Sequence, residues 1–245
     1  MNVNNLQIVV LEDLKDFWHI SEIRELYCDL MKVKFQGYGT VYGDNVISSD
    51  KADFFGTHLI VCEKGIRLKP LFGYKSVTLE KCEQYHLRFP ALSLVSSDGH
   101  DKCLLGLQEI INTAVTNKEQ ISFDYSWAQA PELKENRTKE MAQLFRDLIM
   151  TLVISHHRDH DIAHMITSGV VKVKTDRFFK LLGLKTITSH SLFSQKDLND
   201  EMVHIFHTKK YSNHAYEIAK KYQQLWSERT EYSKSTGLPI RRTAA

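Results

Sequence analysis

The sequence lacks the features by which several common protein classes are recognised. No segment approaches the roughly 20 consecutive apolar residues of a membrane-spanning helix. The formal net charge is only +2 over 245 residues, so composition gives no case for a nucleic-acid or membrane partner. There is no P-loop, no Gly-x-Gly-x-x-Gly motif and no Ser-His-Asp order. These absences leave P-loop, dinucleotide-binding and serine-hydrolase chemistry without support.

Cysteine is scarce, and none of the cysteines forms a Cys-x-x-Cys pair. The positions are Cys28, Cys62, Cys82 and Cys103. We expect reduced core thiols in a cytoplasmic protein and no disulfide framework. The first 18 residues carry neither a positively charged start nor a long apolar run, so they do not resemble a signal peptide.

Apolar periodicity predicts helices and strands in alternation. Spacings of 3 and 4 residues predict helices at 21–35, 101–119, 141–161, 174–183 and 213–232. Alternating patterns predict a hairpin at 57–82 around a tight Lys64-Gly65 turn, and strands at 120–131, 162–171, 184–189 and 201–208. Residues 36–56 are expected to form a long loop, and Pro90 to break the chain. The order predicts a mixed sheet flanked by helices, α/β or α+β.

Residues 176–187, DRFFKLLGLKTI, predict a helix that ends at a glycine and passes directly into a strand. Gly183 supplies the left-handed residue that closes the helix. The side chains expected to face inward are Phe178, Phe179, Leu181 and Leu182.

This segment and the order of elements resemble the Gcn5-related N-acetyltransferase fold. In that family a helix ending in Phe-Tyr-x-x-Leu-Gly-Phe precedes a strand near the C-terminus, and residues 178–184 read FFKLLGL. The resemblance implies one domain over 1–245 with a twisted, mixed and mostly antiparallel sheet flanked by helices. Its core would span about 20–207, an extra helix at 213–232 would pack on it, and 233–245 would be a frayed tail.

The resemblance also assigns roles to the phenylalanine pair. Phe178 and Phe179 would lie beside the acyl donor. The position of the family's proton-donating tyrosine is held by Phe179, which cannot give a proton.

The N-terminal part is similar to one branch of that fold, the N-acyl amino acid synthases and acyl-homoserine lactone synthases. Those proteins open with a Leu-Arg-x-x-Val-Tyr helix, followed by an acidic, aromatic loop and a His-containing strand. The matching stretches are IREL and DFFGTHLIV. The resemblance implies that the acceptor or acyl pocket is shaped by the 36–56 loop together with Arg24, Phe54, Phe55 and His58.

An acyl donor is implied as well, either coenzyme A or the phosphopantetheine arm of an acyl-carrier protein. In this fold the strand at 121–127 parts from its neighbour, and the next helix offers free amides and its dipole to a phosphate. The candidate donor-binding residues are Trp127, Lys134, Asn136, Arg137, Thr138 and Lys139. The loop contains no glycine, which hinders close approach to a pyrophosphate and favours a carrier-protein donor or a non-catalytic site. An ordinary solvated loop is the plain alternative.

Acyl transfer needs an amine to lose a proton and a thiolate to gain one. Asp124 is the candidate base and Tyr125 the candidate acid. The alternative for Asp124 is an ordinary polar residue on a half-exposed strand. Phe123 and Trp127 would line an acyl tunnel or simply pack in the core.

Two further patterns have plain explanations. His156 and His160 share one helix face, as zinc ligands do, but cations near a helix C-terminus are favoured by the dipole, so no metal is predicted. The charged and aromatic helix at 213–232 reads as a docking helix with a solvated face, the alternative being a surface for a polyanion or an acidic carrier protein.

The predicted function is N-acyl transfer from an acyl thioester to the amine of a small acceptor such as an amino acid. The alternative is a non-catalytic acyltransferase-like module that binds a ligand or partner. No nucleic-acid partner and no membrane span are predicted.

Overall fold

The computed structural model describes residues 2–46, 49–135 and 138–233 and the backbone of residues 240 and 241, without the side chain of Lys134. Contacts between Cα atoms divide the chain into two compact units. Unit 1 consists of residues 1–76, 126–152 and 219–245, and unit 2 of residues 77–125 and 153–218. The expectation of one domain stays a prediction.

Helices and strands alternate along the described chain. The helices are α1 (Leu14–Phe17), α2 (Ser21–Tyr42), α3 (Leu79–Gln84), α4 (Pro90–Asp98), α5 (Asp101–Thr116), α6 (Glu132–Glu135), α7 (Lys139–Asp159), α8 (Thr175–Leu182), α9 (Asn213–Lys221) and α10 (Gln223–Ser227). The strands are β1 (Leu6–Glu12), β2 (Thr57–Glu63), β3 (Lys69–Thr78), β4 (Gln120–Gln129), β5 (Ile162–Val170), β6 (Lys185–Thr186), β7 (Leu192–Gln195), β8 (Glu201–Thr208), β9 (Thr230–Tyr232) and β10 (Ile240–Arg241). The predicted mixed α/β class is confirmed. None of the helices in these ranges is long and apolar enough to cross a membrane.

In unit 1 the strands pair in the order β10-β9-β1-β2-β3, with only the β9–β1 pair parallel among the pairs described. The apolar stripe of α2 packs on this sheet, where Leu26 and Leu30 join a cluster with Val9 and Ile60. A Cβ at Gly73 would lie 2.7 Å from Leu30 Cδ1. The glycine therefore lets α2 approach the sheet closely.

In unit 2 the first half of β4 pairs with β5 in parallel, and β8 pairs antiparallel with β5, β6 and β7. Helix α8 packs on β5 and β8, where the rings of Phe179 and Phe206 lie 6.0 Å apart. This unit contains the helix–glycine–strand segment.

Helix α2 is longer than predicted, because it runs to Tyr42 and takes in the start of the expected 36–56 loop. The glycines of this stretch predicted turns and a loop in place of a helix. A Cβ at Gly37 would lie 3.2 Å from the carbonyl oxygen of Gln129, so this glycine serves a close helix–strand approach and not a turn.

Other boundaries also differ from the prediction. Pro90 starts α4 at its first position, where a missing amide costs nothing. The hairpin connection has five residues, 64–68, in place of a tight turn. The predicted strand at 184–189 reduces to β6.

The predicted C-terminal helix is wrong in its last third. It divides into α9 and α10. Thr230–Tyr232 form β9, which pairs with β1 more than 220 residues earlier in the sequence. Most of the expected frayed tail, residues 234–239 and 242–245, lies outside the described residues, while 240–241 form β10.

Candidate active site

The pairing of β4 with β5 ends at Asp124. Their register runs from Gln120–Ile162 to Asp124–Thr167 and ends there, although β5 continues to Val170. The Val170 amide donates to Thr175 Oγ1 at 2.7 Å. Thr167 Oγ1 donates to the Asp124 carbonyl oxygen at 2.6 Å. This hydrogen bond joins the last pair of residues in the register. The described pairing of β4 with β5 therefore ends three residues before Trp127.

The side chain of Asp124, the last residue of β4 paired with β5, is fully buried. Its Oδ1 accepts a hydrogen bond from Ser122 Oγ at 2.9 Å, and its Oδ2 lies 3.0 Å from His157 Nε2 on α7. The other ring nitrogen of His157, Nδ1, lies 2.5 Å from the hydroxyl oxygen of Tyr211. Asp124, His157 and Tyr211 therefore form a chain of side-chain contacts, which we call the Asp-His-Tyr chain.

One expectation is corrected by this chain. The polar face of β4 is not half-exposed, because Ser122 and Asp124 are buried. His157, which the sequence did not single out, is buried between this carboxylate and a hydroxyl. Burial raises the pKa of Tyr211 well above its ordinary value, and the charge of Asp124 adds to that rise.

Gly183 explains why α8 ends at Leu182. Its φ of +106° is the left-handed conformation predicted for it. A Cβ there would lie 2.5 Å from the Ser212 nitrogen and 3.3 Å from Tyr211 Cα. Ser212 in turn donates from its amide to the Leu182 carbonyl at 3.0 Å. The bare glycine thus gives space to the residues that carry Tyr211.

The phenylalanine pair of α8 only partly meets expectation. Phe179 is buried against Phe206 as predicted, and Phe178 is half-buried. Leu181, expected inward, is exposed.

The remaining aromatic candidates lie in different surroundings. Phe123 is buried, and its ring stacks on Tyr125 at 4.7 Å and meets Phe89 edge-on at 6.4 Å. Tyr125 is partly exposed. Trp127 belongs to unit 1, where its ring stacks on Tyr74 at 4.0 Å.

The candidate phosphate loop is described only in part, and its first four residues form α6 (Glu132–Glu135) and not a loop. Thr138 caps α7, since its Oγ1 accepts a hydrogen bond from the Met141 amide at 3.1 Å, and Lys139 is exposed beside it. The predicted residues Asn136 and Arg137, and the side chain of Lys134, lie outside the described residues.

Unit 1 contains a buried ionic cluster that includes Lys34 of α2. Lys34, Asp53, His58 and Lys75 are all within 1% of complete burial. Asp53 Oδ1 lies 2.9 Å from Lys75 Nζ and 3.4 Å from Lys34 Nζ, and Lys75 Nζ also reaches the half-exposed Asp50 at 2.7 Å. Sequence reasoning missed both lysines, although Lys34 continues the inward stripe of α2.

The charges of this cluster shift the acidities of its members. Burial, opposed by Asp53 and reinforced by Lys75, lowers the pKa of Lys34 to about 8. Burial alone would raise the pKa of Asp53, but the two lysines outweigh it and hold the value at about 2. Burial and the charge of Lys34 lower the pKa of His58 to about 3.

An aromatic rim covers one side of the ionic cluster. The Tyr27 ring lies 5.5 Å from His58, 6.3 Å from Phe54 and 5.9 Å from Trp18. Trp18 and Phe54 are exposed. Among the predicted pocket residues, the structure thus brings Phe54 and His58 together around Tyr27.

The other two predicted pocket residues, Arg24 and Phe55, also belong to unit 1. Arg24 donates from its guanidinium to the Trp18 carbonyl at 3.1 Å, next to the rim. Phe55 is buried.

No group of three or more histidine, cysteine or carboxylate side chains in the described ranges is arranged to hold a metal ion.

No family model and no curated protein matches the sequence. Solved structures do match in fold. FeeM, an N-acyl amino acid synthase from uncultured soil microbes, is 12% identical, with a TM-score of 0.51 over 83% of this chain and 90% of that chain. BjaI, a CoA-dependent acyl-homoserine lactone synthase solved with SAM and isopentyl-CoA, is 13% identical, with a TM-score of 0.50 over 93% of this chain and 94% of that chain. The chain therefore has the Gcn5-related N-acetyltransferase fold that residues 176–187 led us to expect.

Proposed function

We propose that this protein is an N-acyltransferase that moves an acyl group from a thioester to the amine of a small acceptor. The observation that carries the proposal is the end of the β4–β5 pairing at Asp124. There the last paired residue carries a buried carboxylate linked to His157. A thioester held at the end of the pairing would lie next to a group able to assist proton transfer.

Asp124 is proposed as the base and Tyr125 as the acid. The amine nitrogen attacks the thioester carbonyl carbon, the carbon–sulfur bond breaks, and the nitrogen's proton leaves. Because Asp124 is buried, it acts through an intervening water or hydroxyl and not by direct contact. Tyr125 is partly exposed and follows Asp124 in the chain, so it is suited to return a proton to the thiolate.

The donor is proposed to be an acyl chain on coenzyme A or on the phosphopantetheine of a carrier protein. The capped N-terminus of α7 at Thr138 and Lys139 would hold the phosphate, together with Lys134, Asn136 and Arg137, which precede it in the sequence. Trp127, Phe178 and Phe179 would flank the arm. BjaI, which shares the fold, is described with an acyl-CoA, which supports this donor class. The absence of glycine from residues 132–138 favours the carrier protein.

The acceptor is proposed to be an amino acid or another small amine held by unit 1. The exposed rings of Phe54 and Trp18, with Arg24, offer an apolar rim and a cation. Phe55 and His58 support that rim from within, and Phe123 is proposed to contact the acyl chain.

Thiol release tests the proposal. Purified protein is given acyl-CoA and acyl-carrier protein of increasing chain length together with a panel of amino acids. We expect acceptor-dependent release of free thiol, reduced about tenfold or more by Asp124→Asn. Asp101→Asn, which makes the same change on the exposed first turn of α5, is the matched control and should leave the rate unchanged.

Thermal stability separates the alternatives. Stabilisation by coenzyme A or carrier protein without any turnover would support the non-catalytic module. If no donor gives either turnover or stabilisation, both the acyltransferase and the non-catalytic binding module are wrong.

A further inference from the structure

The exposed ring of Phe54 lies on a short turn, residues 50–54, which we call the rim turn. It contains a single turn of 3₁₀ helix. A capping box closes it, since Asp50 Oδ1 accepts from the Ala52 amide at 2.8 Å and Asp53 Oδ2 accepts from the Asp50 amide at 2.8 Å. So short a helix gains little stability from its own hydrogen bonds. The position of the rim turn must therefore come from its contacts with the rest of unit 1.

Two neighbouring side chains of the sheet hold the rim turn. His58 on β2 and Lys75 on β3 lie opposite each other in the antiparallel register, and both are fully buried. Lys75 Nζ lies 2.7 Å from Asp50 Oδ1 and 2.9 Å from Asp53 Oδ1, so one ammonium joins both carboxylates of the capping box. His58 Nε2 donates to the Asp53 carbonyl oxygen at 2.8 Å. One cross-strand pair thus holds Asp53 by its side chain and by its backbone.

The ionic contacts of the rim turn are better suited to fixing a position than to stabilising the core. Lys34 on α2 adds a third buried charge, 3.4 Å from Asp53 Oδ1. Removing two ammonium groups and a carboxylate from water is costly, and apolar side chains of similar size often give equal or greater stability. Apolar side chains cannot make the charge-assisted contacts that set the direction of each carboxylate. The cluster therefore defines the geometry of the turn.

The anchored turn places Phe54 in the aromatic rim. Its ring meets Trp18 edge-on at 5.8 Å and lies 6.3 Å from Tyr27, and the Tyr27 ring lies 5.5 Å from His58 of the anchoring pair. Phe54 and Trp18 remain exposed with these contacts made. Two exposed rings held edge to face offer a surface on which an apolar group can be removed from water.

We propose that Lys75 is a positioning residue for the acceptor. It acts through the rim turn, which it holds so that Phe54 and Trp18 bind the apolar side chain of an amino-acid acceptor. The inference rests on the proposed function for its effect on the acceptor. The anchoring of the turn is a property of the folded chain and is measured without turnover.

Hydrogen exchange tests the anchoring. Lys75→Met removes the ammonium, keeps a side chain of similar length and leaves Asp53 paired with Lys34. We expect amide exchange in 50–56 to become at least about tenfold faster, because the turn opens locally, while exchange in 162–170 on β5 stays the same. Unchanged exchange in 50–56 overturns the proposal. An equal increase in both segments also overturns it, because Lys75 would then stabilise the whole chain and not the turn.

Two further variants accompany this measurement. Lys69→Met removes the exposed ion pair between β3 and Glu132, and it is the matched control that should leave exchange in 50–56 unchanged. Asp50→Asn keeps the side-chain oxygen that caps the turn but loses the charge that faces Lys75. It should increase exchange in 50–56 by less than Lys75→Met does, and it serves as the test if Lys75→Met does not fold. No increase in Asp50→Asn would then overturn the anchoring.

Acceptor kinetics test the consequence. Lys75→Met should raise the KM for leucine as acceptor by about three- to tenfold, the size of a lost aromatic contact, and leave kcat and the donor KM unchanged. The KM for glycine, which has no side chain for the rim, should not change. In a Phe54→Ala background Lys75→Met should have no further effect, because Lys75 acts through the Phe54 ring.

The kinetic outcomes separate this inference from the proposed function. An equal rise in KM for leucine and glycine, or a fall in kcat with KM unchanged, overturns the positioning role. If the natural protein transfers no acyl group from any donor while exchange in 50–56 still depends on Lys75, the anchored turn stands and the acyltransferase function fails.

Discussion

At the scale of single residues, the chain is unusual in burying charge. Lys34 is fully buried, with the carboxylate of Asp53 at 3.4 Å as its described ion-pair partner. His58 donates from Nε2 to the Asp53 carbonyl at 2.8 Å, so it is held as a neutral ring. Such groups stabilise the fold only while their protonation states match the native arrangement.

His58 should make the protein sensitive to acid. Its pKa is about 3 in the fold and about 6.5 when unfolded. Between these values the unfolded chain binds more protons, so stability is lost as pH falls from about 6.5 toward 3, by about 1.4 kcal/mol per pH unit. His58→Gln keeps an N–H for the Asp53 carbonyl and should remove this slope.

Urea unfolding at several pH values measures the slope. The exposed His19→Gln serves as the control and should keep it. His207, whose pKa burial lowers to about 4, is present in every variant and cancels from the comparison. Equal slopes for His58→Gln and the natural protein would contradict the account.

The sequence revealed single candidates at this scale but not their partners. Alternation along 120–127 singled out Asp124, whereas His157 and Tyr211 lie 54 residues apart and meet only in the folded chain. Lys34 could have been noticed, because a lysine on an apolar helical stripe is uncommon.

At the scale of elements, α8 and its glycine are the most constrained piece. Gly183→Ala places a Cβ at φ +106° and within 2.5 Å of a backbone nitrogen. We expect a loss of about 1–3 kcal/mol in the free energy of unfolding, since both strain and a clash must be relieved. Gly65→Ala, in the β2–β3 connection, should change it by less than about 0.5 kcal/mol. An equal effect at both positions would argue against a close approach of residues 211–212 to Gly183.

The end of the β4–β5 pairing has its own prediction. Thr167→Val removes the hydroxyl that donates to the Asp124 carbonyl at 2.6 Å, within a buried site. We expect a loss of about 1–3 kcal/mol, because the carbonyl is left without that donor. Chemical denaturation checks the value, with Thr113→Val on the surface of α5 as the control. No loss would show that the last paired position does not depend on Thr167.

Elements with strong periodicity were predicted well, and those without it were not. Helix α7 and strands β4 and β8 lie close to the predicted ranges. Strand β1 was missed because LQIVVLE is apolar on both faces and shows no alternation. Strand β9 has three residues and exists through its long-range pairing with β1, for which no local signal is available.

At the scale of the whole molecule, four elements run through both compact units. The boundary between units crosses β3 at 76–77, β4 at 125–126, α7 at 152–153 and α9 at 218–219. We propose that the chain unfolds as one domain, because breaking either unit would interrupt all four elements. All three tryptophans, Trp18, Trp127 and Trp226, belong to unit 1. Tryptophan fluorescence therefore follows unit 1, and far-ultraviolet circular dichroism follows the whole chain. Coincident transitions are expected, and separate ones would contradict a single domain.

The central claim is transfer of an acyl group to an amine, and thiol release alone would not distinguish it from hydrolysis. The direct measurement is the mass of the acceptor after incubation with an acyl thioester and an isotopically labelled amino acid. We predict a product heavier than the amino acid by the acyl group less one hydrogen, formed by the natural protein and strongly reduced in Asp124→Asn. Release of free fatty acid with the labelled amino acid unchanged, for every donor supplied, would contradict the account.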